Sequence, residues 1–245
     1  MTGSFVRADA LARLADEHFD VLVIGGGITG AGVALDAASR GLRTGLVERH
    51  DFASGTSSKS SKLVHGGIRY LQQREYRLVY DALRERQIAL RNAPHLVRIL
   101  PFLIPILTRD GLINRRIARA LGSAMWLYDL TGGARIGKLH RRISKGAALE
   151  HMPTLAPERL ASAYLYYDAQ TDDARLTLTI ARTAAEHGAA VANAAAVGGV
   201  LKDGAGKVRG VRVRADGDEL DVRADAVVNA AGVWADDVRA LDEGA

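Results

Sequence analysis

Cysteine is absent from the chain. That excludes a disulfide framework, thiolate metal sites, iron–sulfur clusters and cysteine redox relays, and it fits a reducing compartment. Long apolar runs are missing too: no stretch approaches the roughly 18 residues needed to span a bilayer. The first residues carry Arg7, Asp9, Arg13, Asp16 and Glu17 around no apolar core, so they do not read as a secretory signal. Aromatic residues make up only 5% of the sequence and no nucleic-acid-binding motif accompanies the basic residues, which argues against a nucleic-acid partner. The seven histidines show no metal-ligand spacing, and no metal site is expected.

What is present is an ordinary globular composition, 48% hydrophobic over 245 residues, enough for one large domain or two smaller ones. Its net charge of +5 conceals an asymmetry. From Lys59 to Lys145 there are 18 Lys or Arg against 5 Asp or Glu, whereas the remainder holds 15 basic and 23 acidic residues. Most such runs are solvated helical surface. The functional readings are attraction to an anionic substrate or to anionic lipid.

The most informative stretch runs from Asp20 to Glu48. Val21 to Ile24 is an apolar run suited to a strand buried on both faces. Gly25-Gly26-Gly27-Ile28-Thr29-Gly30 follows and opens a helical segment that closes near Arg40-Gly41. In this pattern Gly25 permits a sharp turn, Gly27 lets the backbone approach a pyrophosphate, and Gly30 lets the helix pack against the strand. Exposed N–H groups at the helix start favour an anion. Leu46-Val47 then predicts a second strand ending in Glu48, whose carboxylate suits a ribose diol at about the expected 20-residue spacing. A lone GxGxxG is weak evidence; strand, helix, second strand and terminal acid together read as a dinucleotide site.

Residues 8 to 17 predict a short amphipathic helix. Asp51 to Lys62 is a hydroxyl-rich loop running into His65-Gly66-Gly67. It reads either as a linker or as a loop whose hydroxyls and amides line a phosphate-bearing ligand. Helical spacing over 74–92 places Tyr76, Val79, Tyr80, Leu83, Gln87 and Leu90 on one face, with Pro94 as the stop. Pro101 and Pro105 make the apolar run Leu96–Leu107 an edge strand or an extended connection. Leu112–Leu130 is helical, Arg135–Lys145 a basic loop, and Ser144 the cap of a short helix before Pro153. Ala161–Tyr167 predicts a strand and Asp168–Asp173 a turn, with Thr171 or Asp172 capping a helix to His187 and Gly188 as its stop. A strand region over 189–200 is joined through Asp203-Gly204 to Val208–Val213, Asp216-Gly217-Asp218 leads to Leu220–Val222, and a last buried strand follows at Ala226–Asn229. A small β-meander ahead of a final Rossmann strand is unusual for nicotinamide dehydrogenases and is a feature of flavin-binding folds.

Ile24 to Gly41 and Thr56 to Leu71, with Asp172-Asp173-Ala174-Arg175-Leu176 and Asn229-Ala230-Ala231-Gly232-Val233-Trp234, resemble the motifs of the FAD-dependent, membrane-associated glycerol-3-phosphate dehydrogenases. The likeness covers roughly residues 18 to 240. It implies an α/β, FAD-binding Rossmann-type fold of the glutathione-reductase and D-amino-acid-oxidase kind, with an inserted β-meander and part of a substrate domain. The corresponding division is a first part of the FAD domain at 18–95, a basic substrate or cap segment at 96–170, and a second, incomplete part of the FAD domain at 171–245. Members are about twice this long, so the chain reads as an N-terminal portion.

The implied reaction is oxidation of sn-glycerol 3-phosphate to dihydroxyacetone phosphate, with electrons passed to quinone at the inner face of the cell membrane. Alternatives are an oxidase of the same fold acting on an amine or hydroxy acid, or an inactive piece that only binds nucleotide. By the resemblance, Gly25, Gly26, Gly27, Gly30 and Glu48 hold the ADP half of FAD, and Thr56, Ser57, Ser60, Ser61 and Lys62 surround the pyrophosphate and flavin. His65, the catalytic candidate, passes with Gly66 and Gly67 near the isoalloxazine, and Gly232 approaches the cofactor. Arg69 and Tyr70 take the substrate phosphate, and the base for the hydroxyl proton lies beyond Ala245.

Overall fold

Strand β1 (His18–Ile24) sits inside a six-stranded sheet whose order is β7 (Ala190–Ala192), β2 (Thr44–Val47), β1, β10 (Asp218–Asn229), β9 (Val208–Ala215), β8 (Ala196–Lys202). Its parallel neighbours are β2 and β10, and β7 extends the parallel edge beyond β2. The computed structural model describes residues 5–67, 70, 73–107 and 115–243. The chain divides into two units: Met1–Ser61 with Asp172–Ala245, and Lys62–Thr171.

In the first unit the period-2 alternation of β1 fills both faces of the sheet. Leu22 and Ile24 point into one core and Val23 into a second, while Phe19, off this alternation, also packs into the first core with Ala10 and Leu14 of helix α1 (Arg7–Asp16). That second core is lined by the small residues Ala31, Ala34 and Ala38 of α2 (Ile28–Ser39) and by Ala181, Ala184 and Ala185 of a later helix, Asp173–Glu186. Alanine on both helices lets them lie close to the sheet and to each other.

Two expectations change on this sheet. The region 189–200 is two strands on opposite edges: β7 ends at Ala192, the chain turns with Ala194 at φ +46°, and β8 (Ala196–Lys202) starts the antiparallel side. The final Rossmann strand and the last meander strand are one strand, β10. Its first half pairs antiparallel with β9 (Val208–Ala215) and its second half parallel with β1, the exchange falling at Arg223. Its buried positions Val222 and Ala224 alternate with exposed Asp221, Arg223 and Asp225, so the strand continues between the two expected segments. The two-residue turn Asp216-Gly217 has φ of +55° and +92°, the hand that matches strand twist in a tight hairpin.

The second unit is built on β6 (Leu160–Thr171). On one side of β6 runs β4 (Val97–Leu107), paired along its length and forming the edge that its two prolines call for. On the other side lie the two-residue β3 (Leu63–Val64) and β5 (Arg141–Ser144). The expected turn at Asp168–Asp173 is therefore strand as far as Thr171, and the expected loop at 135–145 contains β5; pairing along β6 overrides the local polar composition of both. The helices are α3 (Tyr76–Asn92), α4 (Arg115–Thr131) and α5 (Lys145–His151), with Ser144 Oγ accepting from Ala147 N–H as the cap of α5. Residues 62–92 group with this unit, against an expected division at 95, because β3 pairs with β6 and α3 packs on α4 and β4.

Back in the first unit, α6 (Asp173–Glu186) is capped by Asp172, whose Oδ1 accepts from Arg175 N–H at 3.1 Å, and Gly188 follows it at φ +97°. The last element among the described residues is α7 (Ala235–Glu243). Among the described residues no helix is long and apolar enough to cross a membrane.

Candidate functional site

In the first unit β1 delivers the chain to Gly25, which turns at φ +111° and donates its N–H to Val47 O at 2.9 Å. A Cβ on Gly25 would lie 2.5 Å from Ala230 O, so the 230–232 segment crosses directly beside the turn. A Cβ on Gly30 would lie 1.8 Å from Gly25 O, the close helix–strand approach the pattern predicts. Gly27 is different: its absent side chain would meet only Ser57 Oγ, at 3.2 Å.

Of the expected residues, Gly26, Gly27, Glu48 and Ser57 come together around that turn. Glu48, one residue past β2, accepts from Gly26 N–H at 2.7 Å through Oε2 and from His50 N–H at 2.8 Å through Oε1. Ser57, in a 3₁₀ turn (Thr56–Ser58), accepts from Ile28 N–H at 2.9 Å and so satisfies a free amide at the start of α2. Thr56 and Ser61 are exposed. Ser60 is tied to Asp173 of α6: its Oγ donates to Asp173 Oδ2 at 2.7 Å and its N–H to the same oxygen at 3.1 Å. Asp173 lay in a motif of the resemblance but was given no site role, although an acid in the first turn of a helix is a visible signal. Gly232 has φ +60° and open space around its Cα, and it begins the turn carrying Trp234. The Trp234 ring lies against Gly55 and under the Arg49 guanidinium at 4.4 Å, a cation–π contact that joins the end of β2 to this turn.

In the second unit Lys62 has φ +60° and its carbonyl accepts from Thr171 N–H at 2.9 Å. His65 is exposed. Gly66 is buried, and a Cβ there would stand 2.6 Å from the Leu83 side chain and 3.0 Å from the Tyr128 ring. Gly67 has φ +66° and would strike the Tyr70 ring at 2.4 Å. Packing inside this unit therefore already demands glycine at both positions, a reason not visible in the sequence. Tyr70 is exposed, and Arg69 lies outside the described residues.

Beneath Gly66 lies a polar cluster that sequence reasoning missed. Asp168 Oδ1 accepts from Arg86 Nη1 at 2.5 Å and from Tyr128 Oη at 2.6 Å. Arg86 is fully buried, and Asp168 and Tyr128 nearly so. Burial raises the Tyr128 phenol, helped by the adjacent Asp168 charge, so it stays a donor at neutral pH. Burial also raises the Asp168 carboxyl, against the pull of Tyr128 and Arg86. The Tyr166 phenol is pushed up to about 12, again mainly by burial. The overlooked signal was a charge on an apolar stripe. Val79, Leu83 and Arg86 are the buried residues of α3, while Tyr76 and Tyr80, expected on the inner face, are exposed.

A family model described as FAD dependent oxidoreductase matches residues 20–245. The chain is 48% identical over 240 residues to a glycerol-3-phosphate dehydrogenase of Mycobacterium leprae, covering 97% of this chain and 40% of that protein. It is 47% identical over 250 residues to the mitochondrial glycerol-3-phosphate dehydrogenase of Homo sapiens, covering 96% of this chain and 34% of that one. The chain thus spans 34% to 40% of the length of these curated relatives. Among solved structures, the glycerol-3-phosphate dehydrogenase from Bacillus halodurans complexed with FAD matches with a TM-score of 0.73 at 36% identity, covering 99% of this chain and 40% of that chain. With a glycine-rich βαβ turn, an acid closing the second strand and a family match over nearly its whole length, the chain belongs to the FAD-dependent oxidoreductase family.

Proposed function

We propose that this chain binds FAD through its first unit and is part of an enzyme that oxidises sn-glycerol 3-phosphate to dihydroxyacetone phosphate. The observation that carries the cofactor reading is the turn at Gly25–Gly30. Its glycine requirements at Gly25 and Gly30 are steric, yet Gly27 opens onto nothing but a serine hydroxyl, and that opening is a cradle a side chain would fill. The groups around the turn suit the cofactor: the start of α2 is the favoured place for a pyrophosphate, with Ser57 Oγ at present accepting from Ile28 N–H, and the Glu48 carboxylate, which accepts from Gly26 and His50 N–H, has further lone pairs for a ribose diol. In this reading Gly25, Gly26, Gly27, Gly30 and Glu48 hold the ADP half, Thr56, Ser57, Ser60, Ser61 and Lys62 serve the pyrophosphate and flavin, and Gly232 borders the cofactor.

The bound flavin supplies the two-electron acceptor that no amino-acid side chain here provides. Loss of a hydride and a proton from the carbinol leaves this chain two tasks. One is to hold the phosphate dianion, which we assign to Arg69 and Tyr70, since a guanidinium fork matches phosphate oxygens in two parallel hydrogen bonds. The other is to orient the reacting hydroxyl, for which His65 offers an exposed imidazole nitrogen. Gly66 and Gly67 keep the adjoining backbone free of side chains. The basic excess between Lys59 and Lys145 favours approach of a dianionic substrate and of an anionic membrane surface, from which quinone is the proposed electron acceptor.

The test is stopped-flow reduction of the flavin in the intact enzyme. Bleaching by sn-glycerol 3-phosphate is expected, with Arg69→Lys raising KM about tenfold or more through loss of the paired charge-assisted bonds. Bleaching by an amino acid but not by glycerol 3-phosphate would overturn the reading.

A further inference from the structure

His65 sits between two anchors. On one side, pairing of β3 with β6 consists of Leu63 opposite Gln170 and Val64 opposite Ala169, and it stops one residue before His65. On the other side, one residue after His65, the buried Gly66 N–H donates to Tyr128 Oη at 3.2 Å. The phenol is fixed in turn, because it donates to Asp168 Oδ1, which also receives Arg86 Nη1. Arg86 Nη1 also reaches the Tyr167 carbonyl at 3.1 Å. Two helices and the central strand therefore converge on a single carboxylate oxygen, and what they hold is the backbone next to an exposed histidine.

A hydrophobic filling of the same volume would join α3, α4 and β6 at least as well, because desolvating an arginine and a carboxylate offsets most of their attraction. What a polar cluster adds is direction. A fully buried hydrogen-bond network specifies one arrangement of its members, and here that arrangement includes the Gly66 amide.

We propose that Arg86, Asp168 and Tyr128 are positioning residues that set the Leu63–Gly67 backbone and, through Gly66, the imidazole of His65. The functional consequence rests on the reading of His65 as a group that meets the substrate; the geometric claim does not.

The experiment compares the intact enzyme with its Tyr128→Phe variant, which keeps the ring packed against Gly66 and removes only the hydroxyl. Amide hydrogen exchange across 63–67 is expected to accelerate about tenfold on loss of that bond, while peptides from β6 and α3 exchange as before. With glycerol 3-phosphate, kcat is expected to fall roughly ten- to hundredfold at nearly constant KM and unchanged flavin content, as for a catalytic group displaced without loss of binding. Should Tyr128→Phe unfold the second unit, Asp168→Asn, which keeps the shape but weakens the charge-assisted bonds that fix the Tyr128 hydroxyl, is expected to shift exchange at 63–67 and kcat in the same direction by a smaller factor. Unchanged exchange at 63–67, acceleration spread over the whole unit, or local acceleration with unchanged kcat in an active enzyme would each overturn the proposal. An enzyme whose flavin glycerol 3-phosphate does not reduce contradicts the substrate reading alone, and the exchange contrast then decides the positioning claim by itself.

Discussion

A Cβ added at Gly30 would fall 1.8 Å from the Gly25 carbonyl, whereas one added at Gly27 would meet a single serine hydroxyl at 3.2 Å. Two glycines of one motif thus answer to different demands, and substitution separates them. Gly30→Ala forces α2 away from β1 and is expected to cost at least the ~1–3 kcal/mol of an overpacked core, seen as a lowered midpoint in denaturant together with loss of bound flavin. Gly27→Ala needs only a small movement of Ser57 and is expected to leave the midpoint within about 1 kcal/mol of the parent while still weakening flavin retention. Equal destabilisation by both would show that Gly27 is a packing residue too. The motif made these roles legible because it couples residue type to a fixed local geometry. Gly66 and Arg86 offered no such rule: their environment is assembled from α3, α4 and β6, which lie far apart in the chain.

Helix α6 shows how much an element owes to its own first residues. Asp172 Oδ1 accepts from Arg175 N–H, Asp173 Oδ1 from Ala174 N–H, and the other Asp173 oxygen reaches out to Ser60. Asp172→Ala is expected to cost ~1 kcal/mol, the usual value of an N-cap, measurable as a parallel shift of the chemical unfolding curve. Loss of less than a few tenths would show that Asp173 suffices. This cap, like the Ser144 cap of α5, was readable because capping depends on neighbours within three positions. Strand β10 was not. Leu220–Val222 and Ala226–Asn229 read as two separate strands, but they are parts of one continuous strand whose exposed face carries Asp221, Arg223 and Asp225. The same limit split residues 189–200 between the two edges of the sheet, since nothing local says which strand a segment will pair with.

Across the first unit, carboxylates are matched to arginines at the surface. Side-chain hydrogen bonds from Arg43, Arg40, Arg209, Arg7 and Arg212 lower the pKa values of Asp20, Asp36, Asp203, Asp216 and Asp221, respectively. A carboxyl whose folded-state pKa is depressed contributes stability that is fully present above its unfolded value, about 3.9, and lost as pH falls through the folded value. Thermal stability is therefore expected to hold from neutrality to about pH 5 and to decline below about pH 4, with the decline reduced in about 1 M salt, which screens exposed pairs. A melting temperature independent of pH between about 5 and 2 would contradict this, since these groups must protonate there.

The amino-acid sequence alone determined the dinucleotide turn, the helix caps, the hairpin turns, the proline-bearing edge strand and the concentration of basic residues between Lys59 and Lys145. All of these depend on residue type and spacing within a few positions, where steric and hydrogen-bonding rules act directly. The tertiary structure decided the order of strands in the six-stranded sheet, the fusion of meander and Rossmann strand in β10, and the meeting of Arg86, Tyr128 and Asp168 beneath Gly66. Those features are contacts between distant segments. A charge on an apolar stripe announces that a partner must exist, because burying it alone costs far too much, but only the folded chain supplies the partner.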